Sequence, residues 1–296
     1  MKRFYGEIAL VITAIIWGSG FVASAISLEY YSPYQNMAIR FLVGGIILSL
    51  LFYKKLKLLK KNILLKGIIL GSILYIAFAL QTAGLQYTTP SNNAFLTAVN
   101  VVIVPFIGFM FYKKRLDKFE LIGAILAIAG VGFLSLTFPF EMNYGDLLSL
   151  FCAFAFAFHI FYTAKYVKNE DPILLTLVQL VTAAVISIIV VLFRGEIKMS
   201  METDALMPVL YLGIFSTTIA FLLQTSAQKF ISETKAAIIL STESLFGMIF
   251  SVFILNEMIT NKMVSGAIFI LLAIIISETK LSFVKRNKTL REKHNG

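Results

Sequence analysis

Apolar residues in this chain come in blocks, not in stripes. Ten mostly apolar runs, at 7–27, 34–53, 66–87, 91–111, 118–137, 145–164, 172–193, 206–228, 235–255 and 262–281, are separated by short polar breaks. Neither strict alternation nor a one-sided 3.6-residue periodicity dominates them, so half-buried strands and surface helices are both poor descriptions. Each run is about 20 residues long, the length an α-helix needs to cross roughly 30 Å of hydrocarbon. In lipid an unbroken run satisfies its backbone hydrogen bonds only as a helix, whereas barrel strands alternate. The pattern therefore predicts an all-α integral membrane protein with ten transmembrane helices, here called spans 1–10.

Composition agrees: 58% of the residues are hydrophobic, only 14% are charged, and the mean hydropathy is +0.85. The formal charge of +10 changes the picture only through its placement. With the N-terminus cytoplasmic, 22 of the 26 Lys and Arg residues fall in inner loops or the tail from Lys280. Arg194, Lys198 and Lys262 fall outside, and Arg40 lies within a span. This is the positive-inside distribution. The excess charge orients the chain and meets anionic lipid; it is not a nucleic-acid-binding face. The single cysteine, Cys152, lies mid-span and leaves no disulfide or cysteine-rich metal site to propose.

The polar tripeptide Leu80-Gln81-Thr82 recurs as Leu223-Gln224-Thr225, 143 residues later. The same offset lays Gly123-Ala124-Ile125 on Gly266-Ala267-Ile268, Ala94 on Ala237 and Tyr87 on Phe230. Gly6-Glu7 resembles Gly145-Asp146 at a slightly different offset. The chain thus reads as two five-helix repeats, 1–139 and 140–296, the second ending in a short basic cytoplasmic tail. Five is odd, so the halves must be inverted relative to each other. Charge tests this independently. Gln86 and Asn92 align with Lys229 and Lys235, whereas Lys113, Lys114, Arg115 and Lys118 align with Asn256, Glu257, Met258 and Asn261. Each loop gains or loses positive charge as its new side of the membrane demands. Inverted repeats meeting near the midplane are a common build for secondary transporters, though membrane channels and enzymes can be duplicated too.

Polar groups in hydrocarbon need a partner, a wet cavity or a function. Glu243 stands at half depth in span 9, and its aligned partner in span 4 is Asn100. Asn93, Thr97 and Asn100 share one helical face, and Ala236, Leu240, Glu243 and Gly247 share another; both faces can line one cavity. Glu243 is the leading candidate to bind an amine or carry a coupling proton, against the blander reading of a hydrogen-bonded structural carboxyl group. His159, on a face with Cys152, Phe156 and Thr163, is a second proton-coupling candidate, with packing as the competing role. Gln81 and Gln224 are read first as interhelical hydrogen-bonders and second as cavity lining. Trp17, the only tryptophan, either packs on glycines or supplies a flat cavity wall. Arg40 is long enough to snorkel to the headgroups, a structural role, with attraction for an anion as the alternative. Pro105 predicts a kink just past Asn100 and is the gating candidate. Gly123 and Ala127 form a small-xxx-small pair, suited to close packing or to a homodimer contact.

No Walker loop, Asp-rich cluster, His-Glu-x-x-His or Gly-x-Ser-x-Gly occurs, so neither an ATP site, a metal, a cofactor nor a catalytic residue is called for. Together Trp17-Gly18-Ser19-Gly20-Phe21, Ile39-Arg40-Phe41-Leu42, Ala94-Phe95-Leu96-Thr97, Val104-Pro105, Leu240-Ser241-Thr242-Glu243 and Leu255-Asn256-Glu257 resemble the ten-helix EamA-type family of the drug/metabolite transporter superfamily. Two departures stand out: Lys114 replaces the first-half counterpart of Glu257, and Glu243-Ser244 stands where Glu-Pro is common. The resemblance covers essentially the whole chain. It implies two EamA domains in the cytoplasmic membrane, exporting small metabolites, amino acids or organic drugs. It also implies a central cavity lined by spans 1, 3, 4, 6, 8 and 9, where Trp17, Asn100, His159 and Glu243 would fall. The expected function is a secondary active transporter working by alternating access with proton coupling. The rivals are a gradient-independent facilitator of the same fold and, less favoured, a membrane-embedded enzyme. The expected partners are a small-molecule substrate and lipid, with no nucleic acid.

Overall fold

In a computed structural model, residues 2–113, 115, 118–137 and 141–279 are described. Lys114, the repeat boundary at 139/140 and the basic tail from Lys280 lie outside them. The described chain is helical apart from a two-residue strand pair, Leu136–Thr137 with Glu141–Met142. Its helices are α1 (Lys2–Ser27), α2 (Pro33–Leu51), α3 (Lys61–Leu85), α4 (Pro90–Ala98), α5 (Asn100–Tyr112), α6 (Lys118–Ser135) and α7 (Tyr144–Tyr166). They continue with α8 (Pro172–Phe193), α9 (Thr203–Tyr211), α10 (Ala220–Gln228), α11 (Glu233–Ser241), α12 (Glu243–Leu255) and α13 (Asn261–Thr279). Among the described residues, 8 helical segments are long and apolar enough to cross a membrane, joined by shorter apolar helices at Leu121–Leu134 and Asn261–Ile276. Apolar side chains crowd the surface as well as the core, and Phe253 is 80% exposed. Such a surface is stable against lipid, not against water. The chain is a multi-span membrane protein.

Helix starts follow local capping chemistry. Ser32, Thr89, Asn143, Asp171 and Ser232 each accept a backbone N–H at the start of a helix, and Pro33, Pro90 and Pro172 occupy first turns. At Asp171 burial alone would raise the carboxyl pKa. The hydrogen bond from Lys55, the amides of Leu174 and Ile173 and the Lys55 charge outweigh it and hold it below the usual aspartate range.

The two halves pack as mirror roles in one contact pattern. Span 1 (α1) packs on span 9 (α11 and α12), and span 6 (α7) packs on span 4 (α4 and α5). In the same way α1 meets span 8 as α7 meets α3, α2 meets span 8 as α8 meets α3, α2 pairs with α8, and α6 pairs with α13. Exchanging the halves leaves this pattern unchanged. Local geometry repeats too. Lys113 and Asn256, at aligned positions, both end a helix at φ 52°, the non-glycine residues with positive φ among those described. Spans 4 and 9 are both broken, at Val99 and at Thr242, immediately before Asn100 and Glu243. The break at Val99 precedes Asn100 instead of following it. A break recurs at Thr242, where no proline is near, while Pro105 lies inside the continuous helix α5. Gly123 and Ala127 are buried within the chain.

Ion pairs gather at the two ends of the bundle. At one end Lys235 bonds Glu7, Lys66 meets Glu170 at 2.6 Å, Lys55 meets Asp171 at 2.6 Å, and Lys229 donates to the Glu170 carbonyl at 3.0 Å. At the other, Glu196 accepts from Ser32 and from Arg194 (2.6 Å), and Gln35 donates to the carbonyls of Glu196 and Lys198. The loops grouped by charge in the sequence therefore gather in space.

Candidate functional site

Between the two halves lies a partly open cavity. Its walls come from α1 (Trp17, Gly20, Phe21, Ser24), α2 (Arg40), α3 (Phe78, Gln81, Thr82, Leu85) and α5 (Asn100). The other half supplies α7 (Phe156, Ile160), span 8 (Ser216, Gln224) and span 9 (Leu240, Glu243). This combination, mostly apolar walls with a few polar groups aimed inward, is the usual anatomy of a small-molecule site.

Asn100 and Glu243 are the first residues of α5 and α12, each just after a one-residue irregularity whose backbone stays in the right-handed helical region. Glu243 is 6% exposed and forms no hydrogen bond or ion pair within the described residues. Among the described residues Asn100 Oδ1 is buried and unpartnered, as are both amide atoms of Gln224. The two glutamines therefore differ. Gln81 donates to Thr97 Oγ1 at 3.2 Å, an interhelical bond as expected, while Gln224 makes none and faces the cavity unsatisfied.

Trp17 is fixed at both its polar and its apolar edge. Its Nε1–H donates to the Ser216 carbonyl at 2.9 Å, and its ring lies 5.0 Å from that of Phe221. That carbonyl belongs to a π-helical segment, Leu212–Ile219, in which Thr218 Oγ1 donates five residues back to the Gly213 carbonyl at 2.7 Å. Wide turns of this kind recur at functional sites because they free backbone groups for outside partners. Sequence reasoning missed this segment; Ser216-Thr217-Thr218, three hydroxyls inside an apolar span, was the available signal.

His159 is placed differently. It is fully buried outside the cavity lining, with Nε2 2.8 Å from Gln179 Oε1, and Gln179 in turn donates to Thr225. Phe221, whose ring touches both Trp17 and His159, belongs to the packing that sets it apart. Arg40 corrects the snorkelling reading. It is 2% exposed, lines the cavity, and donates to Thr217 Oγ1 (2.9 Å) and Ser216 Oγ (3.1 Å). Gly20 and Gly213 let α1 and α2 approach the π-helical segment this closely, since a Cβ on Gly20 would meet Ser216 Oγ at 2.9 Å and one on Gly213 would meet Val43 at 2.8 Å.

The EamA-like transporter family model matches residues 4–136 and matches again over 143–279. The chain belongs to that family. Among its relatives, an "Uncharacterized transporter" of Archaeoglobus fulgidus is 34% identical over 276 residues, covering 93% of this chain and 86% of the relative. "Uncharacterized transporter YyaM" of Bacillus subtilis is 25% identical over 300 residues, covering 97% and 98%. A solved chain titled "Crystal structure of protein" shares the fold, with a TM-score of 0.66, 14% identity and coverage of 93% and 98%. This EamA-like protein is thus a membrane transporter.

The cavity is not symmetric. Phe78, Thr82 and Leu85 of α3 line it, but their aligned residues Phe221, Thr225 and Gln228 do not. Gln228 is buried and donates to the Ile160 carbonyl at 3.2 Å. The lining thus runs further along α3, to Leu85, than along span 8, where Gln228 is packed away.

Proposed function

We infer that this protein is a secondary active transporter exporting small metabolites, amino acids or organic drugs across the cytoplasmic membrane. It would work by alternating access of two inverted repeats, 1–139 and 140–296, in exchange for protons. The observation that carries the reading is Glu243, an acid in the shared cavity with no cationic partner in the described residues. A carboxylate in that setting is neutralised either by a bound cation or by a proton. Two occupants competing for one group is the simplest chemistry of antiport. With both termini cytoplasmic, the cavity would open outward past Leu85, and the Gln228–Ile160 contact would close the inner side. Exchange of roles between the repeats would close Leu85 onto α1 and release Gln228.

Reconstitution tests this. Proteoliposomes preloaded with apolar amino acids or cationic dyes are expected to show saturable counterflow. Net efflux should accelerate when the outside is made acidic. Counterflow that persists while net transport ignores the gradient would contradict proton coupling and leave a facilitator.

A further inference from the structure

Arg40 is a buried cation without an anion. Among the described residues no Asp or Glu lies within ion-pair distance of it. Its Nε and Nη2 donate to Thr217 and Ser216, and its guanidinium stands 4.2 Å from the centroid of the Phe78 ring. A guanidinium offers five N–H donors, so among the described residues Nη1 and one hydrogen of Nη2 have no partner. Hydroxyls and a ring face orient the group, but they do not neutralise it, and an unneutralised charge at this depth is costly. Those contacts fix the fork with its free edge available to the cavity that Arg40 lines. Glu243 lies on the same cavity and forms no ion pair with Arg40. The site therefore holds separated positive and negative groups, with Trp17, Phe78 and Phe156 on the walls and the unsatisfied amide of Gln224 on the lining.

We propose that Arg40 is the anion anchor of the cavity and binds the carboxylate of a zwitterionic amino-carboxylate, whose ammonium group reaches Glu243 and whose apolar body lies against the aromatic walls. The proposal rests on the transporter reading and narrows it. A purely cationic drug would leave Arg40 uncompensated and bring a second cation into the same space. A zwitterion completes both charges, and the planar fork of an arginine matches a carboxylate in two parallel bonds, which a lysine does not reproduce.

The chain's single tryptophan sits in the site, so its fluorescence reports occupancy in purified protein. Three probes are titrated: L-phenylalanine, 2-phenylethylamine, which lacks the carboxylate, and 3-phenylpropionate, which lacks the amine. Phenylalanine is expected to bind about 10- to 100-fold tighter than 2-phenylethylamine, the range for a charge-assisted hydrogen-bonded contact. In Arg40→Gln that preference should vanish while amine affinity holds or rises; Arg40→Lys should restore it only in part. Wild-type protein that binds the amine as tightly as the amino acid, a preference that survives Arg40→Gln, or no response to any probe would overturn the proposal. The wild-type probe series stands without variants should Arg40→Gln fail to fold. Binding as expected without counterflow in proteoliposomes would remove the transport reading alone. Counterflow that Arg40→Gln leaves intact would remove this proposal alone.

Discussion

Replacing Glu243 by glutamine is expected to reduce net transport of an amine-bearing substrate by about two orders of magnitude or more, and to make the remainder indifferent to a pH gradient. The amide keeps the volume and hydrogen-bonding capacity of the side chain at the start of α12. It removes the charge that an ammonium group would meet. Stranding one member of a buried ion pair costs about 3–5 kcal/mol, and about 1.4 kcal/mol is tenfold in affinity. Fold stability should move the other way or not at all, because Glu243 bonds no protein group in the described residues that the variant could lose. Transport assays paired with thermal unfolding of the same preparations check this. Full, gradient-driven transport by Glu243→Gln would contradict the role given to this carboxyl group.

Gly18→Leu is expected to break the seam between α1 and α12, lowering the unfolding midpoint by about 5–10 °C and abolishing transport. A Cβ built on Gly18 would lie 2.4 Å from Phe246 Cβ, 2.9 Å from Gly247 N and 3.0 Å from the Phe246 carbonyl carbon. Two of those neighbours are backbone atoms, so the helices themselves must part. Overpacking of this kind costs about 1–3 kcal/mol, at times more, and each kcal/mol shifts the midpoint by about 2–4 °C in a chain of comparable size. Parting α1 from α12 also moves Trp17 relative to Glu243. Dispersity and thermal unfolding in detergent give the readout, and an unchanged midpoint would mean that the two halves do not meet closely here.

Much of the architecture was legible because its causes are one-dimensional. Apolar run length fixes where helices can span, and the 143-residue offset that joins the two Leu-Gln-Thr copies also joins Val99 to Thr242 and Lys113 to Asn256. Asn100 and Glu243 stood out because polar groups at mid-depth are expensive. What escaped depends on neighbours. Helical spacing gives the direction of His159 around its axis, but Gln179, 20 positions away on α8, takes up its ring nitrogen. Arg40 is seven residues into α2, shallow enough to snorkel by sequence. Hydroxyls of the π-helical segment and the Phe78 ring hold it inward instead. Trp17 bonds the backbone of that segment, a contact across 199 positions that no local pattern announces. Pro105 is a strong local signal, but the break that both repeats share lies at Val99 and Thr242, where no single residue type announces it.

Leu85 and Gln228 occupy aligned positions in the two repeats, the first lining the cavity and the second packed away from it against the Ile160 carbonyl. In a Cys152→Ala background, Leu85→Cys and Gln228→Cys variants can be labelled with a membrane-impermeant maleimide from each face of oriented vesicles. Two inverted halves that alternate access predict labelling of the first from outside only and of the second from inside only. Substrate or a pH gradient should raise one as it lowers the other. Labelling of both from the same face, or reactivities that rise and fall together, would contradict the account.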